Sequence, residues 1–180
     1  NHRPNAICLD GFLVILRRRA GCTVDPGAAG PYSLAQPAAI VSLAGQGPVN
    51  RISAVVITLN EEHSLSGALD SVAWCDEIVV LDSGSVDGTV EIARSYPNCR
   101  VLHQPFLGYG PQKRKAVEAA SNDWILSLDA DEVLDELLQQ SLRAWRESGS
   151  PGEAGYYLLR RLYFMGRHFR HGRESRDRVL

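Results

Sequence analysis

The sequence predicts an α/β domain, a mostly parallel sheet with helices on both faces. Three observations predict it. Short apolar runs of strand type alternate four times with stretches of helical period between Ile52 and Trp145, as expected of parallel strands joined by helical crossovers. The runs are nearly continuous in apolar residues, as in strands buried on both faces. Polar or acidic residues follow three of them, at Thr58/Asn60, Asp82 and Asp129/Asp131. In open α/β sheets ligands sit at that carboxyl edge.

Composition bounds the answer. The 180 residues suffice for one domain with a sizeable core. Apolar content of 44% and charged content of 22% are ordinary for a globular chain. A net charge of -2 gives no global case for nucleic-acid binding. The four cysteines (Cys8, Cys22, Cys75, Cys99) form no Cys-x-x-Cys pair, which argues against a zinc site or disulfide scaffold and fits the reducing cytoplasm. No apolar run is long enough for a spanning helix. Phe12 to Leu16 is followed, not preceded, by Arg17-Arg18-Arg19, the wrong order for a secretory signal.

Residues 1–50 hold five of the nine prolines and only six charged residues. They are expected to be a poorly ordered extension; translation from upstream of the true start is the plain alternative. The domain itself is expected over residues 52–180.

Ala54 to Leu59 is a β-branched run of buried-strand type. Asn60 can cap a helix with Glu61 and Glu62 in its first turn, and Leu65, Ala68, Leu69, Val72 and Ala73 follow at helical spacing. Glu77 to Asp82 is a second strand, and after the loop Ser83 to Val86, Asp87 can cap a helix over Gly88 to Ser95. Cys99 to His103 is a third, shorter strand. Pro105 to Gly110 is a loop rich in glycine and aromatics, and Pro111 suits the first position of the next helix. Trp124 to Leu128 is the fourth strand, and a helix over Val133 to Trp145 has Leu134, Leu137, Leu138, Leu142 and Trp145 on one side. Tyr156 to Met165 is strand-like, and the tail from Arg160 to Leu180 is rich in arginine.

Asp129 and Asp131 are two residues apart, so on an extended segment both carboxylates point the same way. Two oxygens aimed at one spot suit Mg²⁺ or Mn²⁺, which shares its shell with substrate phosphates. The bland alternative makes Asp131 and Glu132 the cap and first turn of the next helix. Asp82, at its strand end, can accept from a base N–H or a ribose hydroxyl. Lys113 and Arg114 can neutralise phosphate, the alternative being a solvated helix face. Gly108 and Gly110 can admit close backbone approach or simply form a turn.

Three stretches, Ile52 to Glu62, Asp82 to Thr89 and Ser127 to Glu132, resemble glycosyltransferase family 2. Ala73-Trp74-Cys75-Asp76-Glu77-Ile78-Val79, Gly108-Tyr109-Gly110-Pro111-Gln112-Lys113 and Arg160-x-x-Tyr163-Phe164-x-Gly166 resemble its branch of lipopolysaccharide-core β-1,4-glucosyltransferase-like enzymes. The resemblance covers about residues 52–180. It implies a GT-A (nucleotide-diphospho-sugar transferase) fold, a nucleoside-diphosphate-sugar donor (a UDP-sugar first), and inversion at the anomeric carbon. It implies a saccharide or lipid-linked saccharide acceptor in cell-envelope glycan synthesis. By motif match Thr58, Asn60, Glu61 and Asp82 line the nucleoside pocket. Asp129 and Asp131 form the Asp-x-Asp motif, with Asp131 the direct metal ligand. Arg176-Asp177-Arg178-Val179-Leu180 resembles the segment carrying the family's general base, which makes Asp177 the candidate. Just before it, His171 to Arg176 departs from the branch, which has a Gly-Trp and a Pro there. Family members also continue past the position of Leu180, so the acceptor side is expected to be incomplete. The basic tail can meet a phosphorylated acceptor or the anionic cytoplasmic face of the inner membrane.

Two rivals differ in class. A nucleotidyltransferase wants a basic glycine-rich loop after its first strand, where this chain has Asn60-Glu61-Glu62; an aspartyl phosphatase carries Asp-x-Asp on its first strand, where this chain has it on the fourth. A catalytically dead nucleotide-sugar-binding fragment is the non-enzymatic alternative.

Overall fold

The structure, a computed structural model, describes residues 14–17, 50–148, 155–158, 163–164 and 167–168. Along the chain these form β1 (Val14–Arg17), β2 (Ile52–Thr58), α1 (Leu65–Val72), β3 (Glu77–Asp82), α2 (Thr89–Arg94), β4 (Cys99–His103), α3 (Tyr109–Ala119), β5 (Trp124–Asp129), α4 (Glu136–Glu147), β6 (Gly155–Tyr157), β7 (Tyr163–Phe164) and β8 (Arg167–His168). One sheet runs in the order β4-β3-β2-β5-β1-β6, and β7 and β8 form a separate pair. The four strands expected from the apolar runs, β2 to β5, are mutually parallel. The fold class expected from the sequence is therefore present. Among the described residues no helix is long and apolar enough to cross a membrane.

Alternate residues of each strand face opposite layers. Ile52, Ala54 and Val56 of β2, Ile78 and Val80 of β3, and Trp124, Leu126 and Leu128 of β5 pack with Leu65, Leu69 and Val72 of α1, Ala93 of α2 and Leu142 of α4. Val55, Val79, Leu81 and Ile125 face the other way, onto Ala116 and Ala120 at α3. Alanines there let α3 lie close to the sheet. The larger core is closed by Trp124, Trp145 and Tyr156, with Trp124 and Trp145 edge to face at 4.7 Å.

Several boundaries differ from the sequence pattern. The helix expected directly after Asn60 starts at Leu65, because Glu61 O accepts from both Ser64 N and Leu65 N in an intervening turn. The helix expected from Val133 starts at Glu136, capped by Asp135, whose Oδ1 accepts from Leu138 N at 2.8 Å. Asp131 is therefore not that helix's cap. Leu137, expected on the inner side, is 73% exposed, whereas Leu134, Leu138, Leu142 and Trp145 pack inward at spacings of three and four. Of the strand expected over Tyr156 to Met165, Tyr156 and Tyr157 lie in β6 and Tyr163 and Phe164 in β7, Leu158 is in neither, and the rest lies outside the described residues.

Within residues 1–50, expected to be a poorly ordered extension, Val14–Arg17 is a strand of the main sheet. It pairs antiparallel with β5 (Val14 opposite Ser127) and with β6 (Val14 opposite Tyr157). Its source is the apolar run Phe12 to Leu16, whose length alone suits a buried strand. The rest of 1–49 lies outside the described residues.

The amino edge of the sheet is stapled by Glu77. Its carboxylate accepts from Ser53 Oγ (2.6 Å), Ser121 N (2.7 Å), Ser121 Oγ (2.9 Å) and Arg100 Nη2 (3.0 Å). Burial pushes this carboxyl up, but the bonds from Ser53, Ser121 and Arg100 together outweigh it and hold the group below its ordinary range. On the same side Arg146 of α4 donates to Trp74 O and Asp76 Oδ1, and Asp76 Oδ2 accepts from Ile52 N.

Two outcomes follow. Leu126 is fully buried, so Leu126→Ala should lower the free energy of unfolding by about 2–5 kcal/mol, read by urea denaturation. The stabilisation from Glu77 is complete above its unfolded pKa and is lost as pH falls through its depressed folded value. Glu77→Gln should therefore be less stable than wild type at neutral pH, with the gap between their unfolding midpoints closing as acid is added.

Candidate functional site

The carboxyl ends of β2, β3 and β5 open on a cavity of about 410 Å³, whose lining includes Thr58, Glu61, Ser83, Phe106, Tyr109, Asp129 and Asp131. Parallel strands in register explain why. Thr58 pairs with Asp82 across β2 and β3, and Ile57 pairs with Asp129 across β2 and β5. The polar residue ending each apolar run therefore arrives at one level.

Asp129 ends β5 and Asp131 follows in a tight turn. Glu132 N donates to Asp129 O at 3.0 Å, and Glu132 Oε2 accepts from Asp129 N at 2.9 Å. Glu132 thereby fixes the turn that presents both aspartates, and Ala130 between them is buried. Lys113 Nζ of α3 lies 2.9 Å from Asp129 Oδ1 as an ion pair, without a hydrogen bond of good geometry among the described residues. Arg114 and Lys115 are exposed, as on a solvated helix face. Of this basic run, Lys113 is the residue turned inward.

Thr58 lines the cavity but is only 5% exposed, and its Oγ1 is buried with no hydrogen-bond partner among the described residues. A buried hydroxyl without a partner is costly, and here it lies just behind the cavity wall. Glu61 is half-buried beside it. Burial pushes its carboxyl up, a hydrogen bond with Ser64 pulls against this, and the charges of Asp131 and Asp87 push it up further.

Asn60 and Asp82 have different surroundings. Asp82 is buried, and its carboxylate accepts from Gly84 N (2.9 Å), Ser85 N (3.1 Å) and Ser85 Oγ. It organises the loop after β3. Asn60 adopts φ 55°, its N donates to Ser85 Oγ at 2.8 Å, and its Oδ1 accepts from Val86 N at 2.9 Å. Together they lock the loop after β2 to the loop after β3. The N-cap of α2 is Gly88 rather than the expected Asp87, which lies one residue earlier; Asp87 Oδ1 accepts from Thr89 N and Oγ1, and its Oδ2 accepts from Glu62 N. The Thr89 hydroxyl and these backbone bonds hold the Asp87 carboxyl low. Gly108 needs to be glycine at φ 93°, whereas a side chain at Gly110 would meet open space.

Thr58, Glu61, Asp129 and Asp131 are thus brought to one cavity, and Lys113 reaches it through Asp129. Asn60 and Asp82 shape the neighbouring loops. Asp177 lies outside the described residues. Phe106, Tyr109 and Ser83 line the cavity without having been singled out; the aromatic and glycine-rich character of 105–110 was the available signal. Burial pushes the Cys75 thiol up to about 12 and the Cys99 thiol up to about 11.

The sequence model of the family described as glycosyl transferase family 2 matches residues 53–174. The lipopolysaccharide core biosynthesis glycosyltransferase LpsC of Rhizobium meliloti is 39% identical over 119 residues, 64% of this chain and 44% of that protein. An uncharacterized glycosyltransferase of Rickettsia bellii is 45% identical over 93 residues, 51% of this chain and 31% of that protein. This chain therefore spans less than half the length of these relatives. Among solved structures, S. aureus TarS 1-349 is 26% identical with a TM-score of 0.46, over 53% of this chain and 32% of that one.

The left-handed backbone at Asn60 yields a test of the loop lock. Asn60→Val meets a steric cost of about 1–2 kcal/mol and also loses the bond to Val86 N. Asn60→Gly loses the bond alone. The valine variant should melt below the glycine variant, and both below wild type, by circular dichroism.

Proposed function

Since the chain belongs to glycosyl transferase family 2, we propose that it holds the donor site of a glycosyltransferase that takes a sugar from a nucleoside diphosphate. One observation carries this reading. Asp129, Asp131, Glu61 and Thr58 all line one cavity at the carboxyl edge of the sheet. Such a set offers carboxylates to ribose hydroxyls and a cation.

The donor set suits Mg²⁺ or Mn²⁺ on chemical grounds. Its oxygens are hard, and no cluster of three or more His, Cys, Asp or Glu side chains able to hold a metal ion occurs among the described residues. A cation held by two carboxylates draws the rest of its shell from phosphate and water. Asp131 is the principal ligand in this reading, as the resemblance of the Asp-x-Asp stretch to the family implies, while Lys113 stands against Asp129. Bound there, the cation supplies charge stabilisation for the departing diphosphate.

The remaining roles fall to the chain itself. Lys113 orients Asp129 and adds positive charge near the diphosphate. Glu61 accepts from ribose, and Thr58 forms part of the wall behind it. The acceptor oxygen attacks the anomeric carbon from the face opposite the leaving diphosphate, which inverts configuration. Its proton passes to a general base, which we assign to Asp177 on the resemblance of its segment to the family. The likeness to LpsC supports an acceptor of lipopolysaccharide-core type, with the basic residues 160–180 meeting its phosphate groups.

Thermal unfolding with UDP and Mn²⁺ tests the donor site. Ligand at about 100 times its dissociation constant should stabilise the fold by roughly 2.7 kcal/mol. The shift should require metal and be lost in Asp131→Ala. A chain that melts cooperatively but shifts with no nucleoside diphosphate would remove the reading. Binding without release of nucleoside diphosphate from a UDP-sugar would restrict the chain to a binding role.

A further inference from the structure

We propose that Gln112 is the positioning residue for the aromatic wall of the cavity; this rests on the donor-site reading above. Gln112 lies in the first turns of α3 and is fully buried. Its Nε2 donates to Ser83 Oγ at 3.1 Å and to Gln104 O at 3.0 Å, and its Oε1 accepts from Leu107 N at 3.3 Å. One neutral amide thus joins the loop after β3, the residue just past β4 and the loop that leads into α3.

The pieces it joins form one side of the cavity. Ser83, Phe106 and Tyr109 all line it. Phe106 and Tyr109 stand edge to face at 5.2 Å and are 51% and 68% exposed. Two exposed rings beside a polar cavity present stacking surface for a ring of the ligand. Exposed rings on a slack loop would fold down onto the nearest apolar surface. Here the loop backbone between them is held at Leu107 N by an amide that water does not reach.

Stability alone does not explain a glutamine at this place. An apolar side chain of similar length would fill the same volume without an amide to satisfy. A satisfied buried amide adds directional bonds, which select one arrangement of the groups it links. The adjacent Lys113 faces Asp129 from the same helical turn. The start of α3 therefore sets the aromatic wall through Gln112 and the charge beside the Asp-x-Asp turn through Lys113.

The test uses the full chain with Gln112→Met and Ser83→Ala, at a temperature where circular dichroism shows each variant folded. Without ligand, chymotrypsin reports the loop through cleavage after Phe106, Leu107 and Tyr109. With ligand, titration reports the Kd for UDP in Mn²⁺. Gln112→Met should be cleaved in this loop roughly tenfold faster and bind UDP about tenfold more weakly, the loss expected for about 1.4 kcal/mol. Ser83→Ala, which removes one of the three bonds, should move both readouts the same way by less, and it decides alone if Gln112→Met does not fold.

Unchanged cleavage would overturn the tie to the loop. Faster cleavage with unchanged Kd would overturn the positioning role. A merely structural glutamine would lower Tm and leave both readouts unmoved, which also overturns it. If wild type binds no nucleoside diphosphate while the variants are cleaved faster, the tie stands but the donor-site reading fails, and the positioning role falls with it.

Discussion

Burial of the parallel sheet on both faces is the constraint from which the rest of this molecule follows. Strand β2 is paired along its length with β3 and β5 and covered above and below. No polar group has room on either face without a partner. Function can therefore occupy only the ends of the strands. The apolar runs stop at the same level because the strands are in register, so the first polar residues past each run meet without any long-range device.

The two ends of the sheet are then used differently. At the amino end Glu77 gathers Ser53, Ser121 and Arg100, and Ser53 Oγ in turn accepts from Asn122. At the carboxyl end a hydroxyl is left over at Thr58, and like charges are gathered around Glu61. The one end is arranged for holding and the other for receiving. Five of the exposed apolar side chains among the described residues, Leu59, Val86, Phe106, Leu107 and Val133, stand in loops that leave the carboxyl ends of strands, and Tyr109 and Leu137 stand at the starts of α3 and α4.

Much of this was legible in the chain. Runs such as Ala54 to Leu59 and Trp124 to Leu128 announce buried strands through β-branching and continuity, and the two-residue spacing of Asp129 and Asp131 announces a shared direction. Helix starts were less legible because a capping side chain is a local preference that a turn can override. Asn60 looks like a cap and instead takes a left-handed backbone to reach Val86, while Asp135 does the capping that Asp131 seemed placed to do. Asp82 reads as a residue free to meet a ligand, but its oxygens are engaged by the loop that follows it. The bonds of Gln112 had no signal beyond its place in the Gly108 to Lys113 stretch, since its three partners are scattered in sequence and only the fold collects them.

The antiparallel strand β1 has a consequence in time. Its partners, β5 and β6, are among the last described parts of the chain to be synthesised. The parallel unit of β2, β3 and β4 can assemble through short crossovers as the polypeptide emerges. Val14 to Arg17, made before all of it, has no edge to join until β5 has been translated and laid against β2. The earliest of the described strands to leave the ribosome is thus among the last to be seated, and until then its unpaired backbone is open to any chaperone or neighbouring chain that offers a strand edge.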